Sequence, residues 1–289
     1  GNIGVLYDME CKDGDFLDKT GRKAHKDGAR TGFFLQFWGM KNLRMAYTAL
    51  TDRLLRAASI AAGTVVPGTC HVCGTALTAD ENRMCLQCLL DLPRTGAHLR
   101  KSTRITDRLA RYTPVSRHAS WFFYRREGKY AALIHDMKYH DMPAMGREMG
   151  RAFALEIKDS GFFDSIDLML PVPLHWTRRL TRGYNQSREI ALGVEAVTGI
   201  CVANNVFAVR RHVSQTRQTG SSRTGNVDAS LFGVRRPEEL CGRHLLIVDD
   251  VVTTGATVDA VACAVWKATE ATGRPAAISV LSLGLTSID

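Results

Sequence analysis

The chain has 289 residues, of which 45% are hydrophobic and 23% charged. That is ordinary soluble-protein composition with enough length for one large or two smaller cores, and no apolar run approaches the roughly 18 residues that span a bilayer. The formal net charge of +9 excludes a generally acidic surface and points to a polyanionic partner, phosphates or nucleic acid.

Residues 1–44 carry no sustained hydrophobic period and read as a poorly ordered or non-native extension. They lack the basic, apolar, small-residue order of a signal peptide, and the expected location is cytoplasmic. Residues 45–63 have apolar positions at helical spacing and a glycine stop, so one amphipathic helix is expected. Next come Cys70-x-x-Cys73 and Cys85-x-x-Cys88. Two such knuckles can place four thiolates around a zinc ion. Two disulfides or four free thiols are the alternatives, and a cytoplasmic setting disfavours the disulfides. His71 reads as a spacer. Cys11, Cys201, Cys241 and Cys263 have no paired spacing and read as ordinary thiols. With the basic connector that follows, residues 45–117 form one expected module, and residues 118–289 a second domain.

The aromatic run at residues 119–125 predicts a strand. Residues 129–139 and 143–158 predict helices. Strands are then expected at 166–170, 205–209, 244–248 and 276–283, with helices at 184–197 and 256–271. Near-continuous apolar strands alternating with helices predict a parallel sheet covered on both faces. Between residues 178 and 223 lie eight arginines and only two acids, Glu189 and Glu195. Residues 210–226 are polar and too long for a tight turn, which suits a lid or an unstructured surface loop.

The most informative stretch is LLIVDDVVTTGATVDA, residues 245–260. Asp249 and Asp250 are expected where an apolar strand emerges, and adjacent carboxylates there call for protons, a cation or hydroxyl donors. Thr253, Thr254, Gly255, Ala256 and Thr257 form a turn into a helix, whose N–H groups and hydroxyls suit a phosphate. A ribose 5-phosphate satisfies both groups. Neither GxxxxGK[ST] nor GxGxxG is present to compete for the phosphate role.

VDDVVTTGAT resembles the motif by which type I phosphoribosyltransferases bind phosphoribosyl pyrophosphate (PRPP). The resemblance implies that Asp249 and Asp250 hold the ribose hydroxyls and that residues 253–257 hold the 5-phosphate. Purine-salvage members carry an aspartate where this chain has Thr253, so a purine acceptor is in doubt and no general base is identified. The leaving pyrophosphate falls to Pro171, Val172 and Pro173 with Arg178, Arg179 and Arg182, since arginine forks onto phosphate oxygens. Mg2+ would share that charge, held mainly by substrate oxygens.

PVPLHWTRRLTRGYNQS, the QTRQTGSSRTGNV segment and VDDVVTTGAT stand in the order seen in the ComF family, to which residues 70–284 are similar. The resemblance implies a type I phosphoribosyltransferase fold preceded by a small zinc ribbon, with Cys70, Cys73, Cys85 and Cys88 as zinc ligands. It also implies a hood carrying Lys138 towards the pyrophosphate, a lid with Arg217, Gln218 and Arg223, and an association with uptake of transforming DNA. Two functions follow: phosphoribosyl transfer from PRPP to an unknown acceptor, or a non-catalytic role binding single-stranded DNA or sensing PRPP, with competence proteins as partners. For the DNA reading, Trp121, Phe122, Phe123, Trp176 and Tyr184 are the aromatics available for base stacking.

Overall fold

The computed structural model describes residues 10–12, 15–17, 68–78, 80–100, 106, 115–139, 142–174, 184–209 and 231–286. The chain divides into two compact units, residues 1–67 and 68–289. In the first, β1 (Glu10–Lys12) and β2 (Asp15–Leu17) pair antiparallel. The amphipathic helix expected at residues 45–63 lies outside the described residues. All the remaining elements belong to the second unit.

Its centre is a four-stranded sheet of β3 (Val115–Phe123), β8 (Ala277–Leu285), β7 (His244–Val252) and β4 (Leu168–Pro171), in that spatial order. All three pairings are parallel. The apolar strands expected from the sequence bury both faces, and their side chains alternate accordingly. Leu246, Val248, Leu281 and Leu283 join one apolar cluster; Leu245, Ile247, Ile278 and Val280 join the other. The first face is covered by α2 (Ala131–Tyr139), α3 (Pro143–Ile157) and α4 (Gln186–Thr198), through Met137, Phe153, Ile190 and Val194. The second is covered by α5 (Ala256–Glu270), through Val258, Val261 and Val265. A two-stranded antiparallel ribbon, β5 (Val206–Ala208) with β6 (Phe232–Val234), lies outside the main sheet.

Helices α3 and α4 meet backbone to backbone. A Cβ built on Gly193 would lie 2.1 Å from the carbonyl oxygen of Arg147, and one on Gly150 would lie 2.2 Å from that of Ile190. No side chain fits at either point, so these two glycines set the helix separation.

The helix after β4 covers one face, and the helix after β7 covers the other. A crevice opens between the carboxyl ends of such neighbouring strands, where ligands bind in open α/β sheets. The structure differs from the sequence expectation at this point. The strand does not stop at Val248 but runs on through Asp249 and Asp250 to Val252, with Asp249 paired to Ser282 and Val252 to Leu285. Backbone pairing with β8 overrides the break that two adjacent acids suggest.

The cysteine module joins this body through a shared core. Thr69 and Ala76 form an antiparallel bridge around the first knuckle, and the second knuckle opens the short helix α1 (Leu86–Leu90). Cys70, Cys85 and Cys88 pack into the same cluster as Trp121, Phe122 and Phe153.

Candidate functional site: a carboxylate crevice and a four-cysteine centre

The two aspartates are held differently. The Asp249 Oδ1 atom accepts from the Asp250 N–H at 2.9 Å and from the Ser187 hydroxyl at 3.1 Å. Its Oδ2 has no partner among the described residues. The Asp250 Oδ1 atom accepts from the Val251 N–H at 2.7 Å, and its Oδ2 sits 2.6 Å from the Lys138 ammonium. Burial, and then the adjacent Asp250 charge, push the Asp249 carboxyl up to about 7, against the pull of its hydrogen bonds and of Lys138. A buried carboxyl poised near neutrality in a crevice is a signature of a functional position.

Behind the pair lies a polar strip that the sequence did not flag. His118 Nε2 is 2.7 Å from the Ser120 hydroxyl, which is 2.6 Å from the Ser282 hydroxyl. Burial lowers His118 to about 4 and keeps its imidazole neutral.

Opposite Asp249, the start of α4 organises the crevice. Asn185 caps the helix by accepting from the Ser187 N–H at 3.1 Å, and its own amide donates to the Val172 carbonyl at 3.0 Å. Val172 also donates its N–H to Val248 O at 2.9 Å. Pro171 and Pro173 have no N–H at all. The expected Pro-Val-Pro turn therefore lies beside the acid pair but offers no free backbone donor. Arg178, Arg179, Arg182 and Trp176 lie outside the described residues, as do Arg217, Gln218 and Arg223.

After β7, Gly255 turns the chain into α5 with φ +79°, the left-handed region that glycine accepts without strain. Thr253, Thr254, Ala256 and Thr257 are exposed around it. The Ala256 N–H donates to the Thr254 hydroxyl oxygen at 3.4 Å, and the exposed threonine hydroxyls at this helix start suit an anion. The sequence located this turn from its Thr-Gly pattern. It located Lys138 only through family resemblance, and it gave Asn185 and Ser187 no role, although an asparagine just ahead of a helical run is an N-cap signal.

Three successive residues of α2 are tied to three different places. Asp136 bonds His71 of the first knuckle at 2.6 Å; the Met137 carbonyl accepts from the Tyr184 hydroxyl; Lys138 reaches Asp250. His71, read as a spacer, thus joins the cysteine module to the crevice helix.

The four cysteine sulfurs lie within 4.8 Å of one another. Cys73 and Cys85 are 3.7 Å apart at sulfur. A tetrahedron with zinc–sulfur bonds of about 2.3 Å has edges of about 3.8 Å, so the donor set fits zinc. The Val72 and Cys85 N–H groups each lie 3.4 Å from the Cys70 sulfur, the donors a thiolate needs. Burial pushes the Cys88 thiol up to about 12; a coordinated cation reverses that preference. Among the described cysteines, the structure contains no disulfide.

Of the four described aromatics considered for base stacking, Trp121 and Phe122 belong to the core. Trp121 is 2% exposed and Phe122 is fully buried, with Trp121 stacked on Phe153. Phe123 is 41% exposed and Tyr184 is half-buried. An aromatic run on a β-strand packs first against its own helices, and here that corrects the expectation for Trp121 and Phe122. Among the described residues, no helix is long and apolar enough to cross a membrane.

Comparison with known proteins adds a lineage to this geometry. The DNA utilization protein YhgH of Shigella flexneri is 28% identical over 201 residues, covering 68% of this chain and 82% of that protein. The protein of the same name from Escherichia coli K12 matches to the same extent. Competence protein F of Haemophilus influenzae is 27% identical over 131 residues, 44% of this chain and 57% of its own length. No family model matches. A solved structure of a hypothetical protein from Neisseria gonorrhoeae with bound ppGpp gives a TM-score of 0.31 at 16% identity, covering 50% of this chain and 73% of that one. Relatives named for DNA utilization and for competence, at 27–28% identity, support assignment of the chain to the ComF family.

Proposed function

We propose that the chain binds PRPP with Mg2+ in the crevice between β4 and β7 and acts as a phosphoribosyltransferase-like protein in DNA uptake or utilization. The observation that carries this reading is the pairing, at one strand end, of a carboxylate couple with an open Thr-Thr-Gly-Ala-Thr turn at a helix start. The acid pair lies at the ribose end of the ligand, and the turn receives the 5-phosphate. Mg2+ entering with the ligand would be held mainly by the ligand's own oxygens and would share the diphosphate charge.

In the transfer reaction, the bond between the anomeric carbon and the diphosphate oxygen breaks, and pyrophosphate leaves with the electron pair. An acceptor nucleophile then bonds to that carbon. The chain's contribution is positioning and charge stabilisation. Thr253, where purine-salvage enzymes place a base, offers only an exposed hydroxyl. The names of the relatives supply the DNA-uptake setting. With Trp121 and Phe122 buried, base stacking has little support on β3, and single-stranded DNA binding is the secondary reading.

The test is calorimetric titration of PRPP with Mg2+ into the wild-type protein and into the Asp249→Ala/Asp250→Ala variant. Saturable binding that disappears in the variant is expected. Equal affinity in the two proteins sinks the assignment. Release of pyrophosphate on adding a nucleobase, amine or nucleic-acid end then separates an enzyme from a sensor.

A further inference from the structure

The carry-over from related enzymes gives Asp249 and Asp250 the same task, yet their surroundings are unequal. Asp250 has both oxygens engaged, one by the Val251 N–H and the other by Lys138 at 2.6 Å. Its side chain is 15% exposed and that of Lys138 is 23% exposed, so the pair is substantially shielded from water. Asp249 has Oδ1 fixed by two donors, while its Oδ2 has no partner among the described residues. One carboxylate is thus oriented by Ser187 and a backbone amide with an acceptor to spare. The other is committed to a cation.

We infer a division of labour within the acid pair: Asp249 alone receives the sugar hydroxyls, and Asp250 serves as the seat of Lys138, which cancels its charge beside an anionic ligand. This rests on the sugar-phosphate reading and refines it. A ligand bearing several phosphate charges meets a steep electrostatic penalty in a crevice with two uncompensated carboxylates. Lys138 removes one of those charges before the ligand arrives. It remains beside the crevice, where its other N–H donors are of the kind that bind phosphate as a point charge. Ser187 is the corresponding positioning residue for Asp249. Its hydroxyl fixes Oδ1 at 3.1 Å, which leaves Oδ2 without a partner among the described residues.

The test uses two probes that share the sugar and differ in charge, ribose 5-phosphate and PRPP, each titrated with Mg2+ into the full-length protein. Asp249→Asn is expected to weaken both by about 100-fold, since it removes the hydroxyl acceptor. Lys138→Met is expected to weaken ribose 5-phosphate by about tenfold and PRPP by more, because the loss scales with ligand charge. The decisive variant is Lys138→Met/Asp250→Asn, which removes both charges. It is expected to recover affinity to within about threefold of wild type for ribose 5-phosphate. Circular dichroism and zinc content, unchanged across the set, confirm that each variant is folded. If Asp250→Asn is as damaging as Asp249→Asn and the double variant shows no recovery, Asp250 touches the sugar and the division is wrong. A higher affinity in Lys138→Met also overturns it, since Lys138 would then be an obstruction. Failure of wild type to bind either probe is a separate result. It removes the sugar-phosphate reading itself, and this refinement with it.

Discussion

In the ribbon, four sulfurs from two knuckles close in sequence converge on one point. In the crevice, the groups that meet come from four separate elements: Lys138 on α2, Val172 after β4, Ser187 on α4 and the acid pair on β7. The ribbon gathers four thiols whose spacing fits a metal ion. The crevice gathers opposite charges and hydroxyls, and it leaves one carboxylate costly to ionise. A locally encoded centre should therefore fail all at once when its ion is removed. A centre assembled by the fold should respond in degrees, residue by residue.

The largest effect is expected where the comparison is starkest. Cys70→Ser should release zinc and unfold the ribbon, because structural zinc supplies roughly 10–16 kcal/mol to small modules. Bound metal measured by atomic absorption should fall to background; a zinc content equal to wild type breaks the assignment. The crevice should survive this loss only in part, since Cys70, Cys85 and Cys88 belong to the same apolar cluster as the sheet.

The next effect distinguishes two buried groups by the sign of their pH response. Asp249 is raised to about 7 from 3.8. Its contribution to stability is greatest below pH 4 and is lost as pH rises through 7, by on the order of 2–4 kcal/mol. His118 is lowered to about 4 from 6.5. Its contribution is full above pH 6.5 and is lost as pH falls towards 4, by a similar order of magnitude. Asp249→Asn should therefore raise the melting temperature above pH 7, and His118→Gln should flatten the decline below pH 6. Parallel melting curves for wild type and both variants across pH 4–8 would remove the electrostatic account of each.

The smallest effect is expected at the seam between the regions. Arg83 on the ribbon pairs with Glu148 on α3 at 2.9 Å, with both side chains partly exposed. Arg83→Ala should cost about 0.2–1 kcal/mol, less at high salt. A cost several times larger, measured by denaturant titration, would mean that the ribbon is held to the body mainly by charge rather than by its buried cysteines.

The same contrast separates what is legible in the amino-acid sequence from what only folding creates. The knuckle spacing identifies the four cysteines because their geometry is set by a few neighbouring residues. The parallel sheet is legible in near-continuous apolar runs such as residues 245–248. The acid pair and its threonine turn are legible because strand, turn and helix are contiguous. The seat of Lys138 on Asp250 is not, because it spans more than 100 residues and depends on how α2 packs. Nor is the extension of β7 through its two aspartates, which the neighbouring strand imposes. The Pro-Val-Pro turn is legible as a neighbour of the crevice, but the commitment of Val172's N–H to Val248 arises only when the strands pair.

The three consecutive anchors on α2 have a thermodynamic consequence. A helix fastened to the cysteine module at Asp136 and to the acid pair at Lys138 would, on the proposed function, link a metal equilibrium to a ligand equilibrium. Whatever factor metal occupancy adds to ligand affinity must return as the same factor in metal affinity when ligand is present. Zinc affinity, measured by equilibrium competition with a chelator, then becomes a ligand assay requiring neither an acceptor nor turnover.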